Sequence, residues 1–177
     1  ERDLKFYTIC EFNKRKNVQA TIAAYLSEFD SSEDVVLVLK CHIPGLVKDH
    51  SKEIIRKICE EIKNGLKRFG NQGRYPKINL ISGFLPDESI CAIHANCDVF
   101  VSSSRGEGFG LPAFEAFSFE NAVILPNEGP YKEYFCNVSS DSVKLVSVRE
   151  EQCFGVTDSL PDLYTSAETW FSPDMLD

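Results

Sequence analysis

The chain has 177 residues, of which 43% are hydrophobic and 26% charged; these are ordinary globular proportions and exclude wholesale disorder. A formal net charge of −8 excludes a general nucleic-acid surface, although it leaves room for a phosphate ligand held by local donors. No apolar run approaches the ~20 residues of a membrane span, and the length suits one domain with a substantial core.

The sequence passes from Glu1-Arg2-Asp3 straight into an apolar run at 4–10, read as a buried strand, with no signal-peptide pattern before it. A basic turn, Lys14-Arg15-Lys16, leads to Asn17, placed to cap a helix whose Val18, Ile22, Leu26 and Phe29 recur at helical spacing. Asp30-Ser31-Ser32 ends that helix, and residues 35–39 are uninterrupted apolar and β-prone, as in a strand covered on both faces. A loop over 42–47 precedes a long helix with Ile54, Ile55, Ile58, Ile62, Leu66 and Phe69 on one stripe. The polar turn at 70–76 leads to a strand at 77–82, and Gly83-Phe84-Leu85 turns into a short helix opened by Pro86-Asp87-Glu88. Residues 98–102 form the next strand, followed by a glycine-rich turn, a helix from Pro112 to about Phe119 and a strand at 122–125. Gly129-Pro130 opens a short helix through Phe135, residues 143–148 read as one more strand, and the tail at 150–177 has no clear period.

Strands alternating with helices predict an α/β domain over 1–177, a parallel sheet with helices on both faces. Ligands in such sheets sit beyond the carboxyl ends of the strands. The stretch Ser104-Arg105-Gly106-Glu107-Gly108-Phe109-Gly110-Leu111-Pro112-Ala113-Phe114-Glu115-Ala116 lies at such an end. Gly108 and Gly110 allow a tight bend, and Pro112 suits a first helical position. The bend predicts free N–H groups at a helix N-terminus, a seat for an anion. Glu107 in the turn and Glu115, expected in the first helical turn, are acceptor-only groups suited to paired hydroxyls. Taken alone the Glu-x7-Glu spacing is as well explained by glutamates that favour the helix dipole.

Seven cysteines, at 10, 41, 59, 91, 97, 136 and 153, form no Cys-x-x-Cys and are expected as buried free thiols in a reducing compartment. Three histidines without ligand spacing argue against zinc, and the adjacency of Cys41 and His42 does not supply the geometry of a catalytic pair.

The string Arg105-Gly106-Glu107-Gly108-Phe109-Gly110-Leu111-Pro112, closing at Glu115-Ala116, resembles the Glu-x7-Glu signature of retaining glycosyltransferases of family 4. The resemblance runs from about Leu4 to Phe135 and more weakly to Trp170. It implies the GT-B fold, two Rossmann-like halves facing a cleft, with this chain matching the C-terminal donor-binding half. The N-terminal acceptor half and the terminal helices are then expected outside the chain, whose abrupt start and end at Met175-Leu176-Asp177 suit a piece of something longer. The implied activity is transfer from a nucleotide-diphosphate sugar to a glycan or lipid-linked acceptor, with no cofactor, no metal and no nucleic-acid partner. The implied place is the cytoplasm, at or near the inner membrane face, and the isolated fragment is expected to be inactive.

By the same resemblance Lys16 binds the diphosphate, and Glu107 holds hydroxyls of the transferred sugar without acting as a nucleophile. The backbone of Gly108, Phe109, Gly110 and Leu111 faces sugar and diphosphate, and Glu115 holds the ribose. Gly83 and Leu85 belong to the turn that meets the base, although Leu85 is equally a helix-entry staple. The chain contains no Asp-x-Asp, the motif of metal-dependent transferases. Two departures stand out. Many relatives carry Gly-Arg where this chain has Cys10-Glu11, which leaves Arg15 or Lys14 to stand in for the arginine. Relatives also continue into a Gly-x-Pro-Val-like run where this chain has Phe119-Glu120-Asn121-Ala122-Val123. Two alternatives therefore stay open: a sugar-nucleotide epimerase of similar architecture, whose sites lean on histidine, and a module with a decayed site.

Overall fold

The computed structural model describes residues 3–70, 72–138, 141–153 and 169–174. Six strands form one sheet: β1 (Leu4–Glu11), β2 (Val35–His42), β3 (Lys77–Ile81), β4 (Val99–Val101), β5 (Ala122–Pro126) and β6 (Val143–Val146). Their order is β3-β2-β1-β4-β5-β6 and every adjacent pair is parallel. Five helices make the crossovers: α1 (Val18–Glu28), α2 (Lys48–Leu66), α3 (Asp87–Asn96), α4 (Leu111–Ser118) and α5 (Gly129–Phe135). This is the doubly wound, Rossmann-like α/β arrangement, whose strand order reverses between β1 and β4 and opens a crevice there.

The sheet is held from both sides. Seven consecutive residues of β2 are buried, because successive side chains point to opposite faces and both faces are covered. Leu37 and Leu39 enter a core with Val18, Ile22 and Leu26 of α1 and Ile55 of α2. Val38 joins Tyr7, Ile93, Phe100, Ala113, Val123 and Leu125 in the core beneath α3, α4 and α5. Burying each such side chain stabilises the fold by about 1.5–3 kcal/mol. α2 stops at Leu66 because Lys67 takes a left-handed conformation at φ 51°, which leaves Phe69 beyond the helix.

Several sequence expectations are corrected at the element ends. Asn17 occupies the N-cap position of α1, but with φ 51° and no side-chain cap; its carbonyl accepts from Ser103 Oγ at 2.7 Å instead. α4 begins at Leu111, so Pro112 is its second residue, where an N–H would also lack an intrahelical acceptor. Glu115 is consequently in the second turn of α4, and the helix-dipole explanation for it falls away. The run at 143–148 is two strands: β6 ends at Val146, and β7 (Val148–Gln152) pairs antiparallel with β8 (Thr169–Pro173). The tail read as irregular thus contains a ribbon; its residues 154–168 and 175–177, Met175-Leu176-Asp177 among them, lie outside the described residues.

The turn between α4 and β5 is strained at one position. Glu120 has φ 63°, a left-handed conformation that glycine adopts without cost and other residues adopt at about 1–2 kcal/mol. Glu120→Gly relieves that strain but gives back part of the gain as unfolded-state entropy. The expected net result is a stabilisation of up to about 1 kcal/mol, read as a raised midpoint in urea denaturation.

Candidate functional site

Two loops meet at the reversal of strand order. The β1–α1 loop carries Asn13 to Asn17, and its first turn is set by Lys16 N–H donating to Asn13 Oδ1 at 2.9 Å. The β4–α4 loop is stitched onto it by backbone and hydroxyl groups. Arg105 N–H donates to Arg15 O at 2.8 Å, and Ser103 Oγ to Asn17 O at 2.7 Å. Buried Thr21 and Ser103 share a hydrogen bond of 2.8 Å beneath the junction.

This stitching brings together residues ninety positions apart. Lys16 Nζ lies 2.5 Å from Glu107 Oε1, and Arg15 Nη1 lies 3.4 Å from Glu107 Oε2 and 2.6 Å from Gly106 O. The Glu107 side chain is only 11% exposed, so the three charges interact with little solvent screening. Two cations on one carboxylate leave a local positive excess in a chain that is acidic overall. Arg15, rather than Lys14, is the side chain that reaches Glu107; Lys14 offers its backbone carbonyl to Arg105 Nη1 at 2.8 Å.

A cleft of about 670 Å³, within the size range of small-molecule sites, opens over Arg15 and Glu107, with Lys16 outside its lining. Its walls include Arg15, Glu107 and Gly108, then Glu128 and Tyr131 around the start of α5, and Trp170 from the ribbon. Beside it, the N–H groups of Phe109, Gly110 and Leu111 find no acceptor among the described residues, as expected for a loop entering a helix. Gly110 is required there twice over. Its φ is 76°, and an added Cβ would stand 2.4 Å from Cε1 of Tyr131. Gly108 has neither constraint: an added Cβ would meet nothing within 4 Å, so its value lies in leaving the cleft floor open.

The remaining residues stand elsewhere. Glu115 does not line the cleft; its half-exposed carboxylate lies 3.5 Å from Nε2 of His94 on α3. The expectation that both glutamates face one crevice is therefore not met in this structure. Gly83 has φ 93° in the β3–α3 turn, where its α-carbon packs by the Lys48 side chain, and Leu85 packs into the core under α3. Phe84 in the same turn is 89% exposed and rests against His42, with ring centroids 4.9 Å apart. His94 is fully buried, which puts it out of reach of a ligand in the cleft and removes the histidine that an epimerase would need there.

Sequence reasoning left the role of Arg105 open and missed the ribbon. Arg105 Nε donates to Ser172 Oγ at 2.8 Å, its guanidinium lies 4.9 Å from the Trp170 ring centre, and its carbonyl accepts from Phe171 N–H at 3.1 Å. Arg105 thus fastens β8 to the glycine turn, and buried Trp170 is a packing residue that also forms a cleft wall. Ser172 in turn donates to Glu151 Oε2 at 2.5 Å, which, with Arg105 close by, holds that carboxyl below its usual range.

All seven cysteines are thiols, but Cys91 and Cys136 are exposed, contrary to the expectation of uniform burial. Burial pushes the Cys10 thiol up to about 11 and raises Cys41 further, so neither supplies a thiolate. Among the described residues no three His, Cys, Asp or Glu side chains gather where a metal ion would sit, and no helix is long and apolar enough to cross a membrane.

Residues 4–144 match the family of glycosyl transferases group 1, and the chain belongs to it. It is 34% identical over 123 residues to the serotype-specific mannosyltransferase WbdA of Escherichia coli, covering 68% of this chain and 13% of that protein. The chain therefore spans about an eighth of the length of that relative. Among solved structures it is similar to the C-terminal domain of the group 1 glycosyl transferase LpcC from Francisella tularensis, with TM-score 0.59 and 23% identity over 81% of this chain and 67% of that one. It is also similar to HepE of Anabaena, solved with UDP and glucose, with TM-score 0.58 and 17% identity over 82% of this chain and 35% of that one. The fold is that of the C-terminal half of a GT-B glycosyltransferase.

Two outcomes follow from this geometry. Gly110→Ala meets both left-handed strain and the Tyr131 ring, and is expected to cost about 2–4 kcal/mol in urea denaturation. Burial holds His94 below its ordinary value near ~6.5. The unfolded chain then binds more protons than the folded one below that pH, so stability is full above ~6.5 and falls as pH drops toward the folded value. A series of unfolding curves should show that slope, and His94→Gln should remove its histidine component.

Proposed function

We propose that this chain is the donor-binding half of a retaining glycosyltransferase that holds a nucleotide-diphosphate sugar without a metal. The observation that carries this reading is the pairing of Lys16 and Arg15 on Glu107, beside the unoccupied amides of Phe109, Gly110 and Leu111. A departing diphosphate needs fixed positive charge, and donors already in place stabilise it without reorganisation. The two cations supply the charge and the start of α4 supplies the amides.

In this reading Lys16 and Arg15 take the diphosphate and Glu107 orients hydroxyls of the transferred sugar. Glu107 is already committed to two cations, which suits positioning rather than covalent attack. Glu115 takes the ribose, reached by a ligand that extends along the outside of α4, and the turn of Gly83 and Leu85 meets the base. The acceptor, a glycan or lipid-linked sugar, is supplied by another part of the enzyme at the cytoplasmic face of a membrane. The likeness to a mannosyltransferase makes a nucleoside-diphosphate mannose the first donor to try.

Calorimetric titration of the chain with UDP, GDP and ADP tests the reading. At least one is expected to bind, more weakly as salt is raised and equally well with a chelator present. Lys16→Ala should weaken it about 10-fold or more, since a hydrogen bond to a charged group contributes about 1.5–3 kcal/mol. No sugar transfer is expected from the chain alone. Silence with all three nucleotides in a folded sample would overturn the proposal.

A further inference from the structure

Behind Glu115 lies a polar chain buried in an apolar core. Asn121 Nδ2 stands 2.8 Å from His94 O and 2.8 Å from Tyr7 Oη. A carbonyl only accepts, so this atom of Asn121 is the amide donor, and it donates to both. Tyr7 Oη, having accepted from Asn121, still has its own proton to give, and His94 Nδ1, 2.7 Å away, takes it when the ring is the Nε2–H tautomer. The ring is stacked on Phe119, with centroids 5.5 Å apart and planes 18° from parallel, and meets the Tyr7 ring edge-on. Each contact fixes the orientation of the imidazole, and burial keeps it neutral.

A neutral imidazole that accepts at Nδ1 carries its proton on Nε2. That N–H is buried and has no hydrogen-bond partner among the described residues. The nearest acceptor is Glu115 Oε2 at 3.5 Å, about half an ångström beyond hydrogen-bond distance. A buried donor left open in this way calls for an explanation. Glu115 itself is 41% exposed along its side chain, so its outer end is free to take a ligand.

We propose that His94 is a positioning residue: its Nε2–H captures one oxygen of Glu115, turning the other toward a vicinal diol, with Tyr7 and Asn121 setting the imidazole tautomer. This rests on the reading of Glu115 as the ribose carboxylate. The network gives Glu115 a fixed direction that an exposed helical glutamate otherwise lacks, and does so from a side the ligand never touches. It also assigns a task to the altered turn after α4, since Phe119 and Asn121 are both part of it.

The test uses the chain with whichever of UDP, GDP or ADP it binds, the 2′,3′-dideoxy form of that nucleotide, and inorganic pyrophosphate. Tyr7→Phe and His94→Phe are expected to weaken the ribonucleotide about 3- to 10-fold, as for loss of one hydrogen bond of ordinary strength, because they disturb the aim of Glu115 and not its contact with the ligand. Both should leave the dideoxynucleotide and pyrophosphate unchanged, whereas His94→Gln, which keeps a donor, should retain most of the affinity. Nitrogen-15 NMR of the unaltered chain should show the His94 proton on Nε2 alone, and Tyr7→Phe should spread it over both nitrogens. If Glu115→Ala leaves ribonucleotide binding intact, the ribose reading fails and this proposal with it. If Glu115→Ala weakens binding while both phenylalanine variants do not, or if His94 carries its proton on Nδ1, only the positioning role is overturned. The tautomer measurement needs no variant, so a substitution that unfolds the chain does not shield the idea.

Discussion

The ion cluster of Lys16, Arg15 and Glu107 is the constraint on which the site depends. It joins the loop after β1 to the loop after β4, the two neighbours between which the strand order reverses. A sheet of this topology leaves a crevice at that point whether or not anything binds there. The charges give it chemical content. One carboxylate with two cations is not neutral, and the excess is positive although the chain carries −8. Because Glu107 is 11% exposed and Lys16 15%, salt and water weaken this arrangement less than they would a surface pair. Around it the backbone is fixed by Arg105 N–H on Arg15 O and by the Ser103 and Ser104 hydroxyls, so the loop that carries both cations is held on the glycine turn.

The same economy appears at the start of α4. Gly110 takes its left-handed turn directly against Tyr131, which is buried at α5 and hydrogen-bonded to Ser102 at 3.2 Å. The close approach of ring and backbone sets where the helix begins and so where its open amides point. On the other side, Arg105 draws the β7–β8 ribbon onto the turn through Ser172, Trp170 and Phe171. The cleft therefore has a floor of backbone, one wall from α5 and one from the ribbon. No element is shared between those walls except the glycine turn itself.

How much of this was readable in advance depends on how local each signal is. The parallel sheet followed from β2, whose run of apolar residues is its own evidence, and from the alternation of periods along the chain. Lys16, Glu107 and Gly110 were legible because a short string carries them. The ribbon was not: β8 is five residues with alternating burial, its partner precedes it across a gap in sequence, and both are polar at the edge. The left-handed Asn17 and the second-turn place of Glu115 were missed because helix ends shift by a residue or two under tertiary contacts. Tyr7, His94 and Asn121 had no sequence signal at all. They come from β1, α3 and the turn before β5, and only packing brings them within 3 Å.

The two departures from the family pattern bear on whether the site has decayed. Where relatives carry an arginine after the first strand, Glu11 is exposed and bonds Asn13, and Cys10 stays a protonated thiol below the loop. Within the same loop Arg15 contacts Glu107 Oε2, opposite Lys16 on Oε1. Where relatives carry a glycine and a proline, Glu120 accepts left-handed strain, and the residues on either side of it pack on His94 and bond Tyr7. Both places thus carry contacts that lead to Glu107 or to His94 beside Glu115.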